Sequence, residues 1–391
     1  MPLSAVRRRG CRAIALGALL GCTCYLLLSF LLVSHSTDHP TTINTRDAAG
    51  GVIRYSSNLP TPLARTSPSE RRSDACLLFI TRTVSLTKVR RTLYDVQRRF
   101  NDRFGYPVVF LSEEPFSDDF QAAVRYMVPA DQDVHFGLIP DADWDYPEWV
   151  DRQRARQMAE AWANSNELAV DRAGWRHMVR YWAGPFALHP LLASYRYVWR
   201  LEPGSHYTCD LITDPLAQMQ PGGLQYMFSI AFEEMPDALP TLAQAAREFV
   251  AENPDLFSYP QKQNALGWLF DARGFNHCQF LTNSEIVDLD FVRSDPYQRL
   301  FAFLDRKAGI YYERWTDATV RSLAVAMFLS STQARWIHEA GYRHDQLNNC
   351  PSEEHLQKYC HCDPLKSTHL LPFSCAARWN STAYSIDPNS I

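Results

Sequence analysis

The longest apolar run of the chain lies near its start. Residues 13–33, AIALGALLGCTCYLLLSFLLV, contain no charged side chain, and a helix of this length, rising about 1.5 Å per residue, crosses a hydrocarbon core of about 30 Å. Four arginines precede the run, whereas histidines and an aspartate follow it. Because positive charge favours the cytosolic side, the pattern predicts a single-pass type II anchor, with residues 1–12 in the cytosol and the rest in the lumen.

A cleaved signal peptide is the alternative to an anchor. The apolar run exceeds the roughly 7–15 residues of a signal peptide's apolar core, and no clear cleavage site closes it, so the anchor is favoured. Residues 34–72 are rich in Ser, Thr, Arg and Pro and have almost no aromatic side chains. They cannot bury enough apolar surface to fold, which predicts a flexible stem before a luminal domain at residues 73–391.

The luminal domain opens with strand and helix signals in alternation. CLLFIT at 76–81 and VVFLS at 108–112 are short apolar runs typical of buried strands. Between them, apolar residues recur at the three- and four-residue spacings of a helix face: Leu86, Val89, Leu93, Val96, Phe100 and Phe104. This order predicts a βαβ unit with a parallel strand pair, and hence an α/β fold. Further strands are predicted at 197–201 and 225–230, and helices near 241–252, 295–305 and 318–329.

Composition, charge and the absence of two nucleotide-binding motifs exclude several classes of function. Hydrophobic residues make up 46% of the chain and aromatic residues 13%, so a large core is expected. The net charge is −4 although four arginines lie before residue 13, so the remainder is acidic and the basic footprint of a nucleic-acid-binding protein is absent. Neither a P-loop nor a G-x-G-x-x-G motif follows the first predicted strand. This argues against an ATPase or a dinucleotide-dependent enzyme.

Seven cysteines lie beyond the predicted anchor. They are Cys76, Cys209, Cys278, Cys350, Cys360, Cys362 and Cys375. An oxidising lumen favours disulfides, and an odd number leaves at least one thiol free or paired between chains, with a connectivity that spacing does not reveal. The alternative is structural zinc at Cys360-His361-Cys362, which is disfavoured because no Cys-x-x-Cys pair is present. The sequon at Asn380 is consistent with luminal exposure.

Ligands of open α/β sheets bind beyond the carboxyl ends of the strands. Arg82 directly follows the first predicted strand, where its guanidinium could grip a phosphate or a nucleobase; an ordinary surface charge is the alternative. Glu202 and Asp210 follow the strand at 197–201. A carboxylate there could hold a divalent ion that bridges a diphosphate, or could be a simple turn acid.

A third set of polar residues lies among apolar ones at 273–290. It includes Asn283 and Glu285. A carboxylate in such surroundings could stabilise or capture an oxocarbenium-like centre. A solvated or ion-paired glutamate is the alternative.

Several segments together resemble one family, the fungal Golgi α-1,2-mannosyltransferases of glycosyltransferase family 15. The resemblance covers residues 74–376, and the order and spacing of its segments make it specific. The matching segments are FNDRFGYPVVFLSEEPFSDDF (100–120), FGLIPDADWDYPEWVD (136–151), WRHMVRYWAGPF (175–186), WRLEPGSHYTCD (199–210), NSEIVDLDFVR (283–293), GIYYERWTDATVRSLAVAMFL (309–329), GYRH (341–344) and NNCP (348–351).

The resemblance implies a Rossmann-like nucleotide-diphospho-sugar transferase fold of the GT-A type and a retaining transfer from GDP-mannose that requires Mn²⁺. It places Glu202 and His344 on the family's metal ligands. It places Glu285 on the proposed catalytic carboxylate and Asp317 on an active-site aspartate. The donor-binding positions fall on the following residues: Arg82, Trp175 and Asn283.

The sequence also departs from the family. A family tyrosine near the donor sugar is Trp175 here, and an indole has no ionisable hydroxyl, so this residue cannot be a nucleophile. The family's C-H-F-W-S-N-F-E-I becomes CQFLTNSEI at 278–286, and a usual histidine in the stretch 317–323 is Arg321. Donor and metal binding are therefore expected to persist, whereas acceptor recognition is expected to differ.

The predicted function is that of a Golgi membrane α-1,2-mannosyltransferase acting on N- or O-linked glycans of glycoproteins. Retention could arise through a covalent mannosyl-Glu285 or through same-face attack with the leaving phosphate as base. A non-catalytic protein that binds GDP-mannose or partner Golgi mannosyltransferases is the alternative. A glycoside hydrolase is disfavoured because the resemblance points to a nucleotide-sugar donor.

Overall fold

The computed structural model describes residues 74–165, 173–257 and 264–381, together with Pro388 and two short strands close to the N-terminus. The chain divides into two units, residues 1–63 and residues 64–391. Among the residues described, no helix combines the length and the apolar character needed to cross a membrane.

The first unit contains one described pair of strands. Strand β1 (Asn44–Arg46) pairs antiparallel with β2 (Val52–Arg54). Both lie within the predicted stem. The predicted tail 1–12, anchor 13–33 and remainder of the stem are outside the described residues.

The strands of the second unit are short and are distributed between residues 75 and 349. They are β3 (Ala75–Ile80), β4 (Val108–Ser112), β5 (Val134–Leu138), β6 (Tyr197–Arg200), β7 (His206–Tyr207), β8 (Tyr226–Phe228), β9 (Ala231–Glu233), β10 (Phe270–Asp271), β11 (Gly274–Phe275), β12 (Cys278–Phe280), β13 (Ile286–Asp288), β14 (Ala334–Trp336), β15 (Tyr342–His344) and β16 (Leu347–Asn349).

Most of the helices lie in the connections between the strands, and helices pack on both faces of the main sheet. They are α1 (Leu86–Val96), α2 (Asp102–Phe104), α3 (Asp118–Met127), α4 (Arg152–Ser165), α5 (Ala173–Ala183), α6 (Pro215–Met219), α7 (Leu242–Glu252), α8 (Leu266–Leu269), α9 (Leu289–Arg293), α10 (Asp295–Lys307), α11 (Gly309–Tyr312), α12 (Asp317–Phe328), α13 (Glu354–Gln357) and α14 (Ala376–Ser381).

Seven strands form one mixed sheet in the order β14-β8-β13-β6-β3-β4-β5. Neighbouring strands are parallel except at β13, which runs antiparallel to both β6 and β8. The predicted parallel pair is confirmed, with Leu77 opposite Val108 and Ile80 opposite Leu111. The α/β fold class is also confirmed. The antiparallel strand matters for the site, because it brings the residue before its start to the carboxyl ends of its neighbours.

The central strands of the sheet are buried on both faces, which explains why β3 and β4 are apolar at almost every position. Along β3, Leu77 and Phe79 pack into one hydrophobic cluster, whereas Cys76, Leu78 and Ile80 pack into the other. This alternation follows from the two-residue period of a strand. The helices predicted near 241–252, 295–305 and 318–329 are confirmed as α7, α10 and α12.

Helix α12 runs through the larger cluster and is buried along most of its length. Its start is fixed by a capping box, in which the side chains of Thr316 and Thr319 each accept from the other's backbone N–H. Most of the buried side chains are apolar, but Asp317 and Arg321 are also buried. These two residues are four apart and therefore lie on one face of the helix.

Three disulfides link the C-terminal region to itself and to the sheet layers. They are Cys209–Cys360, Cys278–Cys375 and Cys350–Cys362. Cys76 is free and buried, and burial raises the pKa of its thiol. The expectation of disulfides with one cysteine left over is thus confirmed. The zinc alternative is wrong, because both cysteines of Cys360-His361-Cys362 are consumed by disulfides.

Candidate active site

Two neighbouring parallel strands, β3 and β6, end at one cavity of about 240 Å³. Arg82 lies just beyond the end of β3 and Glu202 just beyond the end of β6, and both line the cavity. Trp175, on helix α5, lines it together with Trp144 and Met178. Three residues predicted from the sequence therefore share one cavity at the carboxyl ends of the strands, where ligands are expected.

Arg82 lies at the mouth of this cavity. Its side chain is 48% exposed and forms an ion pair with Glu113, which is only 12% exposed. A Cβ atom added to Gly174 would lie 2.9 Å from a terminal nitrogen of Arg82, so the guanidinium packs directly against the start of α5. The position leaves the guanidinium within the cavity lining and accessible to a ligand.

Trp175 forms an aromatic wall of the cavity beside Trp144. The guanidinium of Arg314 lies 5.7 Å from the centroid of the Trp175 ring, a cation–π geometry. The indole is therefore held between the cavity and a cation. An aromatic surface of this kind suits the stacking of a base or the apolar face of a sugar.

Glu202 opens a tight turn that also reaches the second predicted metal ligand. Its carbonyl accepts from the hydroxyl of Thr92 and from the N–H of Ser205, at 3.1 Å in both cases. Gly204 in this turn has φ +94°, a conformation that disfavours any residue with a side chain. The hydroxyl of Ser205 then lies 3.3 Å from Nδ1 of His344.

His344 is brought to this turn by strand pairing. Strand β15 pairs with β7, which places Tyr342 opposite Tyr207. The hydroxyls of Tyr342 and Ser205 are 2.8 Å apart. His344 ends β15 with 23% of its side chain exposed, and Glu202 has 17% exposed. The four-residue turn at 202–205 therefore contains Glu202 and contacts His344, although these two residues are 142 positions apart in the sequence.

Behind Glu202 lies a cluster of charged side chains, which we call the charge cluster. Its members are Arg200, Glu202, Glu285, Asp317 and Arg321. Arg200, only 3% exposed, donates to Glu202 across 3.1 Å and forms an ion pair with Asp317. Its guanidinium also lies 4.2 Å from the centroid of the Trp182 ring. Burial opposes the charge of Arg200, but the carboxylates of Asp317, Glu202 and Glu285 outweigh it and raise the pKa of the guanidinium.

Glu285 lies deepest in the charge cluster, immediately before the antiparallel strand β13. Its backbone carbonyl accepts from the N–H of Arg200 at 2.9 Å. Its carboxylate is fully buried and accepts two hydrogen bonds from Arg321, at 3.1 and 3.3 Å. Burial raises the pKa of the Glu285 carboxyl, and the cations of Arg321 and Arg200 oppose that rise.

Asp317 and Asn283 belong to the same neighbourhood. Asp317 accepts from the hydroxyl of Thr282 at 2.6 Å as well as from Arg200. Asn283 follows Thr282 in a short 3-10 turn and is half-buried. The structure thus brings Asp317 and Glu285 together behind Glu202, although neither lines the cavity.

Asp210, the other acid after β6, lies elsewhere. It pairs with Arg99 at 2.7 Å and is 52% exposed. It lines a different cavity of about 370 Å³ beside Cys209–Cys360. Apart from Asp210, no residue predicted from the sequence to act in catalysis, donor binding or metal binding lines this cavity or another of about 450 Å³. We therefore assign the candidate active site to the smaller cavity, on the chemistry of its lining residues, although the other two cavities are larger.

The two candidate metal ligands at the tight turn, Glu202 and His344, fit Mn²⁺. A carboxylate oxygen and an imidazole nitrogen are both acceptable ligands for this ion, and Glu202 and His344 are partly accessible. Arg200 engages one oxygen of Glu202. The close groups of three or more His, Cys, Asp and Glu side chains in the described chain are Cys209, Cys360 and Cys362, and Glu233, Cys278 and Cys375. All the cysteines of those two groups are in disulfides.

Comparisons with known proteins agree on the nature of this chain. The family model described as glycolipid 2-alpha-mannosyltransferase matches residues 35–384. The O-glycoside alpha-1,2-mannosyltransferase omh1 of Schizosaccharomyces pombe is 33% identical, over 80% of this chain and 81% of its own length. The chain belongs to glycosyltransferase family 15.

Solved structures of family 15 members share the fold. The mannosyltransferase Ktr4p of Saccharomyces cerevisiae, in complex with GDP, superposes with a TM-score of 0.76 at 31% identity, over 85% of this chain and 87% of that chain. Core-mannan synthase A of Aspergillus fumigatus, in an Mn/GDP form, superposes with a TM-score of 0.74 at 29% identity, over 89% and 92%. The family predicted from the sequence is confirmed.

This family 15 member also uses residues that sequence reasoning did not select. Arg200 holds Glu202 and Asp317, Ser205 contacts His344, and Glu113 pairs with Arg82. Arg200 had a detectable signal, since a charged residue in a strand of otherwise apolar residues must find buried partners. Ser205 and Glu113 had none, because their contacts depend on chain segments that are distant in the sequence.

Proposed function

We propose that this chain is a retaining α-1,2-mannosyltransferase that transfers mannose from GDP-mannose to mannose residues of glycoprotein glycans. The observation that carries the proposal is the meeting of Arg82, Trp175 and Glu202 in one cavity beyond the carboxyl ends of β3 and β6. Family membership supports the enzyme class, and the GDP complex of Ktr4p supports a guanosine nucleotide as part of the donor.

The residues of the cavity supply donor recognition. Arg82 offers a charged fork that can hydrogen-bond a phosphate or a guanine edge. To do so it must exchange at least part of its ion pair with Glu113 for the ligand. Trp175 offers an aromatic surface next to it. Asn283 follows Thr282, whose hydroxyl donates to Asp317. Its amide would be a further hydrogen-bonding group for the reacting sugar.

Glu202 and His344 would hold Mn²⁺, and the Mn/GDP form of core-mannan synthase A supports this choice of ion. When bound, the ion neutralises negative charge that develops on the departing GDP. Arg200 acts on Glu202 from behind, where its hydrogen bond fixes the orientation of the carboxylate. Ser205 does the same for His344.

The carboxylates of Glu285 and Asp317 contribute negative potential behind the mannosyl centre. As the glycosidic bond to GDP breaks, positive charge develops on the sugar, and a preorganised carboxylate stabilises it. An acceptor hydroxyl then attacks from the face that the leaving group vacates, which retains the α-configuration. Either a covalent mannosyl-Glu285 or direct same-face attack gives that stereochemical outcome.

The proposed location is the Golgi membrane, with a type II orientation and the catalytic domain in the lumen. The uncharged run 13–33 with arginines before it supports the anchor. The disulfides of the luminal domain are consistent with an oxidising compartment. Protection of the domain from added protease in sealed membranes, and its loss on detergent addition, would test the orientation.

No observation in the described residues favours the non-catalytic alternative or the hydrolase. Both candidate metal ligands are present and accessible, and the relatives compared above are named as mannosyltransferases or as a mannan synthase. A complex with other Golgi mannosyltransferases is compatible with an active enzyme and needs a separate test.

The function is tested by GDP release from GDP-mannose by the purified full chain, with and without Mn²⁺. Methyl α-mannoside, mannobiose and a mannosylated peptide serve as acceptors. We expect release that depends on both Mn²⁺ and acceptor, and a product whose new linkage is α-1,2. Release that never exceeds the blank without acceptor, on any of the three, would refute the proposal.

Two matched variants separate the metal site from a general loss of charge. Glu202→Ala removes the carboxylate that lines the cavity and should abolish Mn²⁺-dependent binding of GDP. Asp210→Ala removes a carboxylate that follows the same strand but lies outside the cavity and pairs with Arg99, so binding should be unchanged. Unchanged GDP affinity in Glu202→Ala would remove Glu202 from the metal site.

A further inference from the structure

The ion pair between Glu285 and Arg321 is completely buried, with both side chains 0% exposed. Nε and Nη2 of Arg321 donate to the two carboxylate oxygens of Glu285. Nη1 donates to the hydroxyl of Tyr297 at 2.6 Å, and Nη2 also donates to the carbonyl of Trp182 at 3.2 Å. Each guanidinium nitrogen thus has a partner, and the pair meets the condition under which a buried ion pair is tolerated.

Glu285 is the candidate for a covalent nucleophile, because the family resemblance places it on the proposed catalytic carboxylate. A nucleophilic carboxylate must present one oxygen to the anomeric carbon at close range. Both oxygens of Glu285 instead face Arg321, and Glu285 is not part of the cavity lining. Arg200 and Asp317, which are themselves in an ion pair, belong to the same cluster behind Glu202.

Positive and negative side chains alternate through the charge cluster, and this alternation explains the role of the Glu285–Arg321 pair. Arg200 is attracted by Asp317, Glu202 and Glu285. If Glu285 lacked its own cation, its buried charge would compete for the guanidinium of Arg200. Because Arg321 donates to both oxygens of Glu285, Arg200 is left to hold Asp317 and Glu202.

The arrangement also connects the charge cluster to the wall of the cavity. Arg321 donates to the carbonyl of Trp182, and the ring of Trp182 packs on the guanidinium of Arg200. Trp182 lies near the C-terminal end of α5, the helix whose N-terminal part carries Trp175. One residue of α12 therefore contacts both the buried carboxylate and the helix that lines the donor cavity.

We propose that Arg321 is a positioning residue, which pairs with Glu285 so that Arg200 holds Glu202 in place, and that Glu285 acts through this pair rather than as a covalent nucleophile. The inference rests on the proposed function and selects one of its two routes, direct same-face attack. In that route the bond to the leaving phosphate breaks as the acceptor oxygen bonds to the anomeric carbon, and the phosphate takes the acceptor's proton.

The test is a double-mutant cycle on transfer and on Mn²⁺ binding. Glu285→Gln leaves the Arg321 cation buried alone, and Arg321→Met leaves the Glu285 carboxylate buried alone, so each should lower kcat by at least about tenfold. Each should also weaken Mn²⁺ binding, measured by calorimetry on the full chain. The double variant removes both charges and should recover Mn²⁺ affinity to within about threefold of wild type and raise kcat above that of either single variant.

A nucleophilic Glu285 gives the opposite pattern. The double variant would then be as inactive as Glu285→Gln, and the proposal would be overturned. Because Arg321→Met carries the risk of not folding, Arg321→His serves as a second variant; it introduces the residue that the family resemblance places there. It keeps a donor for Glu285 and should retain more activity than Arg321→Met at a pH where the imidazole is charged.

A second buried ion pair provides the matched control. Arg180 and Asp305 form a bidentate pair, with side chains 10% and 4% exposed, on the same helix α5 and on α10. Arg180→Met, Asp305→Asn and their combination should change thermal stability but leave Mn²⁺ affinity within about twofold. If this cycle shifts Mn²⁺ affinity as strongly as the Glu285–Arg321 cycle, the effect is structural and the proposal fails.

The outcome is distinguishable from a failure of the proposed function. If the wild-type chain transfers mannose to no acceptor, the function is wrong, but the Mn²⁺ affinities still report whether Arg321 positions Glu202. If the wild type is active and the double variant is not, the function stands and the positioning role is refuted.

Discussion

Arg200, the last residue of β6, and Glu202, two positions further along the chain, meet through a hydrogen bond of 3.1 Å between Nη2 and Oε2. The guanidinium is buried while the carboxylate reaches the cavity. A central strand of the sheet therefore delivers an accessible anion together with the cation that orients it. This relationship makes the strand end, rather than a flexible loop, the foundation of the candidate metal site.

Replacing Arg200 with lysine tests this orientation. Lysine keeps the positive charge but cannot donate through a planar fork to Glu202 and Asp317 together. Loss of one hydrogen bond to a charged group corresponds to about 1.5–3 kcal/mol, so we expect Arg200→Lys to lower kcat/KM roughly 10- to 100-fold. The exposed pair of Arg99 and Asp210 is the control, and Arg99→Lys should change kcat/KM less than about twofold. Equal effects in both variants would contradict the orienting role.

Trp175 gives a second prediction, on donor affinity. Its ring lines the cavity and packs against Arg314. Trp175→Ala removes this aromatic wall, and we expect the KM for GDP-mannose to rise about tenfold, because an aromatic contact contributes about 0.5–1.5 kcal/mol beyond its buried area. Trp175→Tyr restores an aromatic ring and should stay within about threefold of wild type in initial-rate kinetics. A large gain of kcat in Trp175→Tyr would instead show that a hydroxyl takes part in the reaction.

Strands β3 and β4 could be predicted from the sequence because they are buried on both faces. VVFLS at 108–112 is uniformly apolar and forms β4 over the same residues. Helix α1 follows from the spacing of Leu86, Val89 and Leu93. The antiparallel direction of β13 was not predictable, since its three residues, Ile286 to Asp288, carry no information about strand direction. Strand direction emerges only from how the chain returns to the sheet.

The candidate site was predictable where residues follow strands. Arg82 and Glu202 were selected for that reason alone, and they share a cavity. His344 could be selected only through the family resemblance, because a single histidine in a short strand has no local signal. The partnership of Glu285 with Arg321 joins residues 36 positions apart. The sequence shows Arg321 as a departure from the family but does not indicate its partner.

The disulfides give a third prediction, on stability. In the chain-entropy account, a disulfide that closes a loop of about 100 residues contributes about 4.7 kcal/mol and one that closes about 15 residues contributes about 3 kcal/mol. Cys278–Cys375 spans 97 residues and Cys350–Cys362 spans 12. Replacing the first pair with alanines should therefore cost more free energy of unfolding than replacing the second, as measured by urea denaturation. The reverse order would show that strain or residual structure outweighs loop entropy here.

Acidification gives the last prediction, through His177 on helix α5. Its Nδ1 lies 3.2 Å from the hydroxyl of Tyr311, and the ring of Tyr146 packs edge-on at 4.7 Å. Burial lowers the pKa of His177 from 6.5 to about 4, partly opposed by Asp145. The unfolded chain therefore takes up a proton at a higher pH than the folded chain does. The stability associated with neutral His177 is complete above about pH 6.5 and falls as the pH drops toward 4.

His177→Asn removes this titration while keeping a short polar side chain. We expect its melting temperature to fall less than that of the wild type between pH 7 and pH 4.5, even if the variant starts lower at pH 7. Carboxylates that titrate in the same range affect both proteins equally, so the difference between the two curves isolates His177. His135, which is exposed, supplies the control, because His135→Asn should leave the wild-type curve unchanged. Parallel curves for His177→Asn and wild type would show that the buried imidazole does not couple protonation to unfolding.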